Sequence, residues 1–108
     1  MAYSNFLKIF TSYGLEILVE DFKQPKITNC YFGSHKVKEE GPLSISCEAT
    51  GSPIPEIIWY KNDVRVKSVD GVLSIEKADL NDSGIYRCEA RNMLGNDVCN
   101  HNVVVESK

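Results

Sequence analysis

The sequence predicts an all-β fold: two antiparallel sheets packed face to face as a Greek-key sandwich, with a shortened segment between its middle strands. Three observations carry that prediction. Apolar and polar residues alternate through Leu43-Ser44-Ile45-Ser46-Cys47, Leu73-Ser74-Ile75, Tyr86-Arg87-Cys88-Glu89-Ala90 and Cys99-Asn100-His101-Asn102-Val103, the period of a strand with one buried face. Trp59 lies twelve residues after Cys47, and Tyr86 lies two before Cys88. A sandwich places an inter-sheet bridge, a tryptophan packed on it and a corner tyrosine in that order. Turn residues separate the alternating runs at Gly51-Ser52-Pro53-Ile54-Pro55, Asn62-Asp63, Asp70-Gly71 and Asn92-Met93-Leu94-Gly95-Asn96,.

The elements follow in order. Residues 1–24 stand outside the pattern as an N-terminal extension, a leader remnant or linker, and residues 25–106 form the domain. Phe6, Phe10, Tyr13 and Ile17 fall at helical spacing, interrupted by Gly14, while Leu15, Ile17 and Val19 alternate as a short strand would,. A docking or membrane-surface role and a plain linker both fit this segment. Pro25 opens the domain, Lys26–Tyr31 reads as its first strand and Lys36–Gly41 as a second with its turn. Leu43, Ile45 and Cys47 point inward on the next strand. After the proline loop, Ile57 and Trp59 point inward and Ile58 and Tyr60 outward,. Only fourteen residues separate Trp59 from Leu73. The Asp70-Gly71 hairpin signal favours Val66–Val69 paired with the strand of Leu73 and Ile75; Val64–Val66 paired with the strand of Trp59 is the alternative. Tyr86, Cys88 and Ala90 line one inner face, and Cys99, His101, Val103 and Val105 another.

The chain has 108 residues, 43% of them hydrophobic and 25% charged, and a net charge of −3. That is room for one sandwich of about 100 residues and no second domain. The mixed charge offers no basic stripe for nucleic acid, and no apolar run reaches the ~20 residues of a membrane-spanning helix. Neither a phosphate loop nor a nucleophile elbow appears. His35 and His101 are the only histidines and stand in no catalytic or metal arrangement; His101 shares the parity of the core residues on its strand. The expected protein is therefore not an enzyme and uses no cofactor or metal.

Four cysteines in so short a chain point to a disulfide framework and an oxidising compartment, and three pairings are open. The sandwich favours Cys47 with Cys88, a loop of roughly 40 residues worth about 4 kcal/mol; a packed but unbonded pair is the rival. A first strand running parallel to the last would bring Cys30 level with Cys99,. The alternatives are an exposed thiol that bridges to a partner, or two reduced thiols. Against export, Met1–Glu20 has no basic start, Lys8 interrupts its apolar stretch, and Glu16, Glu20 and Asp21 stand where a small-residue cleavage site belongs,. Asn81-Asp82-Ser83 is formally a glycosylation sequon at Asn81,, although Asp82 also suits the corner turn.

The outward side of the later strands collects Ile58, Tyr60, Arg87, Glu89, Arg91, Val98, Asn100, Asn102 and Val104. Aromatic, Arg and apolar residues together match the make-up of protein interfaces. Met93 and Leu94 put apolar side chains on a hairpin tip beside Pro53, Ile54 and Pro55, and loops on a rigid scaffold often recognise partners.

Residues 25–106 resemble an immunoglobulin domain of the I-set, or C2-like, type. The resemblance rests on Glu40-Gly41 before Leu43-x-Ile45-x-Cys47, on Gly51-x-Pro53-x-Pro55, and on Trp59-Tyr60-Lys61-Asn62. It continues with Leu73-x-Ile75, Asp82-x-Gly84-x-Tyr86-x-Cys88-x-Ala90-x-Asn92 and Val103-x-Val105. It implies a structural role for Trp59, Leu73, Asp82 and Tyr86. Such domains build cell-adhesion molecules, receptor-kinase ectodomains, small secreted proteins and titin-type muscle proteins. The expected function is extracellular protein–protein recognition or adhesion, with a cell-surface receptor or a second copy as partner. The alternative is an intracellular structural domain of a titin-like protein. The second cysteine pair favours the first, and the N-terminal composition favours the second.

Overall fold

In a computed structural model of the chain, residues 8–10, 16–18 and 22–108 are described. Strands β1 (Lys8–Phe10) and β2 (Glu16–Leu18) pair antiparallel, Ile9 opposite Ile17. The helical reading of this segment is therefore corrected for Phe10 and Ile17; Phe6 and Tyr13 lie outside the described residues.

The domain contains β3 (Lys23–Ile27), β4 (Ser34–Lys38), β5 (Leu43–Ser46), β6 (Ala49–Ser52), β7 (Glu56–Lys61), β8 (Val64–Val66), β9 (Val72–Ile75), β10 (Gly84–Asn92) and β11 (Gly95–Glu106). Five strands form one sheet in the order β4-β11-β10-β7-β8, with β4 parallel to β11 and the other neighbours antiparallel. The facing layer is built on β5 and β6, consecutive segments interrupted at Cys47 and Glu48: β6 pairs with β3 and β5 with β9. Between the layers lie Ile27, Leu43, Ile45, Cys47, Trp59, Leu73, Ala78, Tyr86, Cys88, Ala90, Cys99, Val103 and Val105, all buried. Period-2 alternation places these side chains inward on both layers.

Several boundaries move from the sequence expectation. The first strand is Lys23–Ile27, not Lys26–Tyr31. Thr28 N–H still donates to Glu48 O at 2.9 Å, but Asn29 then takes over with its side chain, bonding Glu48 N–H at 2.8 Å and Ser46 O at 3.2 Å. Local side-chain bonds of this kind replace a ladder, and the backbone is released toward Cys30. The second strand is Ser34–Lys38, and Glu40 turns the chain with φ 71°. Val64–Val66 pairs with β7, Trp59 opposite Val66, so the favoured Val66–Val69 strand is corrected to a single bridge, Val69 to Val72. Asn62 and Asp63 both adopt positive φ (51° and 63°), the tight turn that returns the chain onto β7 at once.

Gly71 shows why the short segment closes as it does. Its φ is 79°, and a Cβ there would stand 2.8 Å from the Cys47 carbonyl oxygen. Its own carbonyl accepts from Cys47 N–H at 3.0 Å and from Trp59 Nε1–H at 3.0 Å. A buried indole N–H needs such a partner, so the hairpin turn, the bridge cysteine and the core tryptophan are joined at one backbone oxygen.

Candidate functional site

Register places Val66, Trp59, Cys88 and Cys99 side by side across the inner face of the five-stranded sheet. Cys47 bonds Cys88 (Cα–Cα 6.5 Å) and Cys30 bonds Cys99 (5.9 Å). Among the described residues no cysteine is free. The two bridges therefore start from directly opposed positions on β10 and β11. Two polar contacts add to the covalent clasp of β3 and its following loop: Ile27 N–H donates to Asp97 Oδ2 at 2.8 Å, and Asn92 Nδ2–H donates to Lys23 O at 2.8 Å. Sequence reading missed both, because neither Asp97 nor Asn92 lies near its partner in the chain.

At the corner, Tyr86 O–H donates to Asp82 O at 2.7 Å, and Asp79 N–H donates to Asp82 Oδ2 at 2.8 Å. Burial pushes the Tyr86 phenol pKa up, and the Asp82 charge adds to it. Leu73 is buried opposite Ile45. Asn81 is exposed, while Ser83 of its sequon accepts Val105 N–H at 2.9 Å.

The outer face of the same sheet carries an ordered polar network. The Arg87 guanidinium lies 4.5 Å from the Tyr60 ring centroid, within cation–π range, and bonds Asp63 at 2.7 Å. Glu89 accepts from Asn96 Nδ2–H at 2.7 Å, from Arg91 at 3.0 Å and from the Tyr60 hydroxyl at 3.3 Å. The Asn96 amide, followed by Arg91, holds the Glu89 carboxyl below the usual carboxylate range against the opposing effect of burial. Tyr60, Asn62, Asp63, Ile85, Arg87 and Asn100 surround a shallow depression of about 160 Å³.

Ile58 requires a correction. It sits on the outer face opposite Glu89, yet it is only 3% exposed and offers no contact surface. Alternation settles which face a strand residue takes, whereas its cover depends on the neighbours. Here Tyr60, Glu89 and Arg91, long side chains tied to one another, share that face, and such side chains cover apolar surface with their stems.

Met93 is 72% exposed and Leu94 38%, at a hairpin tip where Leu94 N–H bonds Asn92 Oδ1 at 2.8 Å. Ile54 is exposed, but Pro55 is buried and leaves the apolar patch assigned to it. Tyr31 and Phe32, both exposed beside Cys30, add an aromatic pair that sequence reading had placed in or next to a strand. The dipeptide itself, directly after a cysteine, was the available signal.

Among the described residues no group of three or more His, Cys, Asp or Glu side chains could hold a metal ion, and no helix is long and apolar enough to cross a membrane.

The family model of the immunoglobulin domain matches residues 24–92, and the chain belongs to that family. It is 33% identical over 88 residues to vascular endothelial growth factor receptor 1 of Rattus norvegicus, covering 74% of this chain and 6% of the receptor. It is 31% identical over 99 residues to titin of Drosophila melanogaster, covering 82% of this chain and a share of titin that rounds to 0%. The solved tandem Ig repeats of Dlar superpose with a TM-score of 0.73 at 29% identity, over 81% of this chain and 48% of that one. The chain thus spans a small fraction of the curated relatives it matches. The family and its fold are typically non-catalytic, and a general role in protein interaction follows from membership.

Proposed function

We propose that residues 25–106 form a non-catalytic, extracellular protein-recognition module, with residues 1–24 as an extension preceding it. The module would serve within an adhesion or receptor protein or as a small secreted one. The observation that carries this reading is the pair of bridges that uses all four cysteines, since such frameworks persist in oxidising compartments. The receptor relative supports the same side. The partner-facing surface is Tyr60, Arg87 and Arg91 on the outer sheet face, extended by Met93 and Leu94 at the tip. The Tyr60, Arg87 and Arg91 side chains are held by contacts with one another, Asp63 and Glu89, and aromatic and Arg anchors dominate interface energies. A glycan at Asn81 is compatible with its exposure.

A second reading, a structural domain inside the cell, is supported by the titin relative. Thiol counting on protein purified from its native source under alkylation separates the two: no free thiol supports export, and four support the cytosol. For the surface, Tyr60→Ala and Met93→Ser/Leu94→Ser are each expected to weaken binding to a cognate protein at least tenfold by surface plasmon resonance, a change of about 1.4 kcal/mol. Unchanged affinity in both would remove this surface from the function.

A further inference from the structure

The inner face holds one polar side chain that the recognition surface does not use. His101 is 1% exposed, its ring centroid 5.0 Å from that of Trp59. Its Nδ1 lies 3.1 Å from Nε2 of His35 on β4. Its Nε2 is buried with no hydrogen-bond partner. Buried polar groups are normally satisfied, and an exception calls for a reason.

We propose that His35 and His101 form an acid-released latch: one N–H···N bond ties edge strand β4 to the core when both rings are neutral, and protonating both drives β4 off β11.

The chemistry follows from the atoms. In the neutral pair one ring nitrogen donates and the other accepts. With His35 Nε2–H donating to His101 Nδ1, a first proton enters on His35 Nδ1 and leaves the bond intact. A second must take the Nδ1 position of His101, so two N–H groups then oppose each other at 3.1 Å with no acceptor between them. The groups around the pair do not compensate for that charge. β10 presents Tyr86, directly opposite His101, and Cys88. β7 presents Trp59 and the like-charged Lys61, whose Nζ lies 5.3 Å from the Tyr86 ring centroid. The loop before β4 presents Tyr31, with its ring centroid 5.2 Å from that of His35, and Leu43 of the facing layer lines the same cleft as His35. Among the described residues no carboxylate bonds either ring. Burial, reinforced by the charge of His35, accordingly holds the His101 pKa below its ordinary value.

The strand that carries His35 is suited to release. β4 is an edge strand joined to β11 by the pairing of residues 34–38 with residues 102–106. Its other flank is an open cleft of about 530 Å³ between Ser34–Val37 and Pro42–Ser44. Edge segments with few packed neighbours open at low free energy. The Cys30–Cys99 bridge keeps the detached strand tethered, which makes the opening local and reversible. Release uncovers the N–H and C=O groups of Asn102–Glu106, a template for strand pairing.

Hydrogen–deuterium exchange on the intact, oxidised chain between pH 7.5 and 5.0, corrected for intrinsic rates, tests the latch. The opening constant of amides in residues 34–38 and 102–106 should rise below pH ~6.5 by up to tenfold per pH unit for each proton taken up. Amides of the other edge strand, β8, should change less than twofold. His35→Gln, which removes the like charge and supplies an acceptor, should reduce the acid step at least fivefold; His101→Phe should abolish it. A flat response in the wild type, a full acid step in His35→Gln, or an equal rise in β10 amides would each overturn the proposal. The last result would mean global acid unfolding. Binding at Tyr60 and Arg87 is a separate readout, and its outcome leaves this one untouched.

Discussion

Removing the Cys30–Cys99 bridge while leaving Cys47–Cys88 intact has a cost that can be worked from the topology. The direct loop spans 69 residues, but the other bridge already shortcuts it. The remaining covalent path runs seventeen residues from Cys30 to Cys47 and eleven from Cys88 to Cys99, an effective loop of roughly 30 residues and about 3.5 kcal/mol of chain entropy. Cys99 is only 3% exposed, so alanine is the suitable replacement; serine would bury a hydroxyl with no assured partner. For a domain of ordinary stability this is roughly a quarter to two-thirds of the total. Urea unfolding under non-reducing conditions, followed by fluorescence of the single buried tryptophan, should show a midpoint lower by about 1–3 M at the usual slopes for small proteins. A loss below about 1 kcal/mol in Cys30→Ala/Cys99→Ala, with the remaining bridge confirmed by mass spectrometry, would refute the reasoning. It would mean that the unfolded chain is already restricted in this region by residual structure, so that the bridge removes little further entropy from it.

Gly71→Ala combines a left-handed backbone, at about 1–2 kcal/mol, with a Cβ driven against the Cys47 carbonyl, at about 1–3 kcal/mol; calorimetry should show Tm lower by roughly 10–25 °C. Asn96→Ala removes the strongest stabiliser of ionised Glu89, so the Glu89 carboxyl followed by NMR should titrate at higher pH than in the wild type. A carboxyl with a depressed folded pKa stabilises above its unfolded pKa and loses that contribution as pH falls through the folded one. The variant should therefore be less stable than wild type at neutral pH and approach it in acid.

What was legible in the sequence is the part set by period and by local stereochemistry. Alternation placed Trp59, Tyr86, Cys88, Cys99, His101, Val103 and Val105 on inner faces, and Asp70-Gly71 marked a turn because few dipeptides accept positive φ at both positions,. The failures share a cause: they depend on what a second segment brings. Ile58 alternates outward yet is covered. Asn29 ends a strand by bonding Glu48 and Ser46 on the partner segment. The choice between the two pairings of residues 64–69 turned on how soon Asn62-Asp63 reverses the chain. The His35–His101 contact joins side chains 66 residues apart, and no local pattern reports such a distance.

Parity divides the labour in β10 and β11. Inward residues Cys88 and Cys99 bind these strands to both facing segments through sulfur, while the alternate residues Arg87 and Glu89 organise the outer network. Because each pair shares a backbone, crosslinking inside also limits motion outside. A partner meeting Tyr60, Arg87 and Arg91 would then find side chains already held by Asp63 and Glu89, with less conformational entropy left to lose on association. β4 is joined to the same frame by one edge ladder, the imidazole contact, a bond from Asn102 Nδ2–H to Ser34 Oγ at 2.9 Å and the packing of Val37. A fold clamped by two disulfides can thus keep a rigid recognition face and still let one flank respond to proton concentration, because the two features draw on opposite faces of the same sheet.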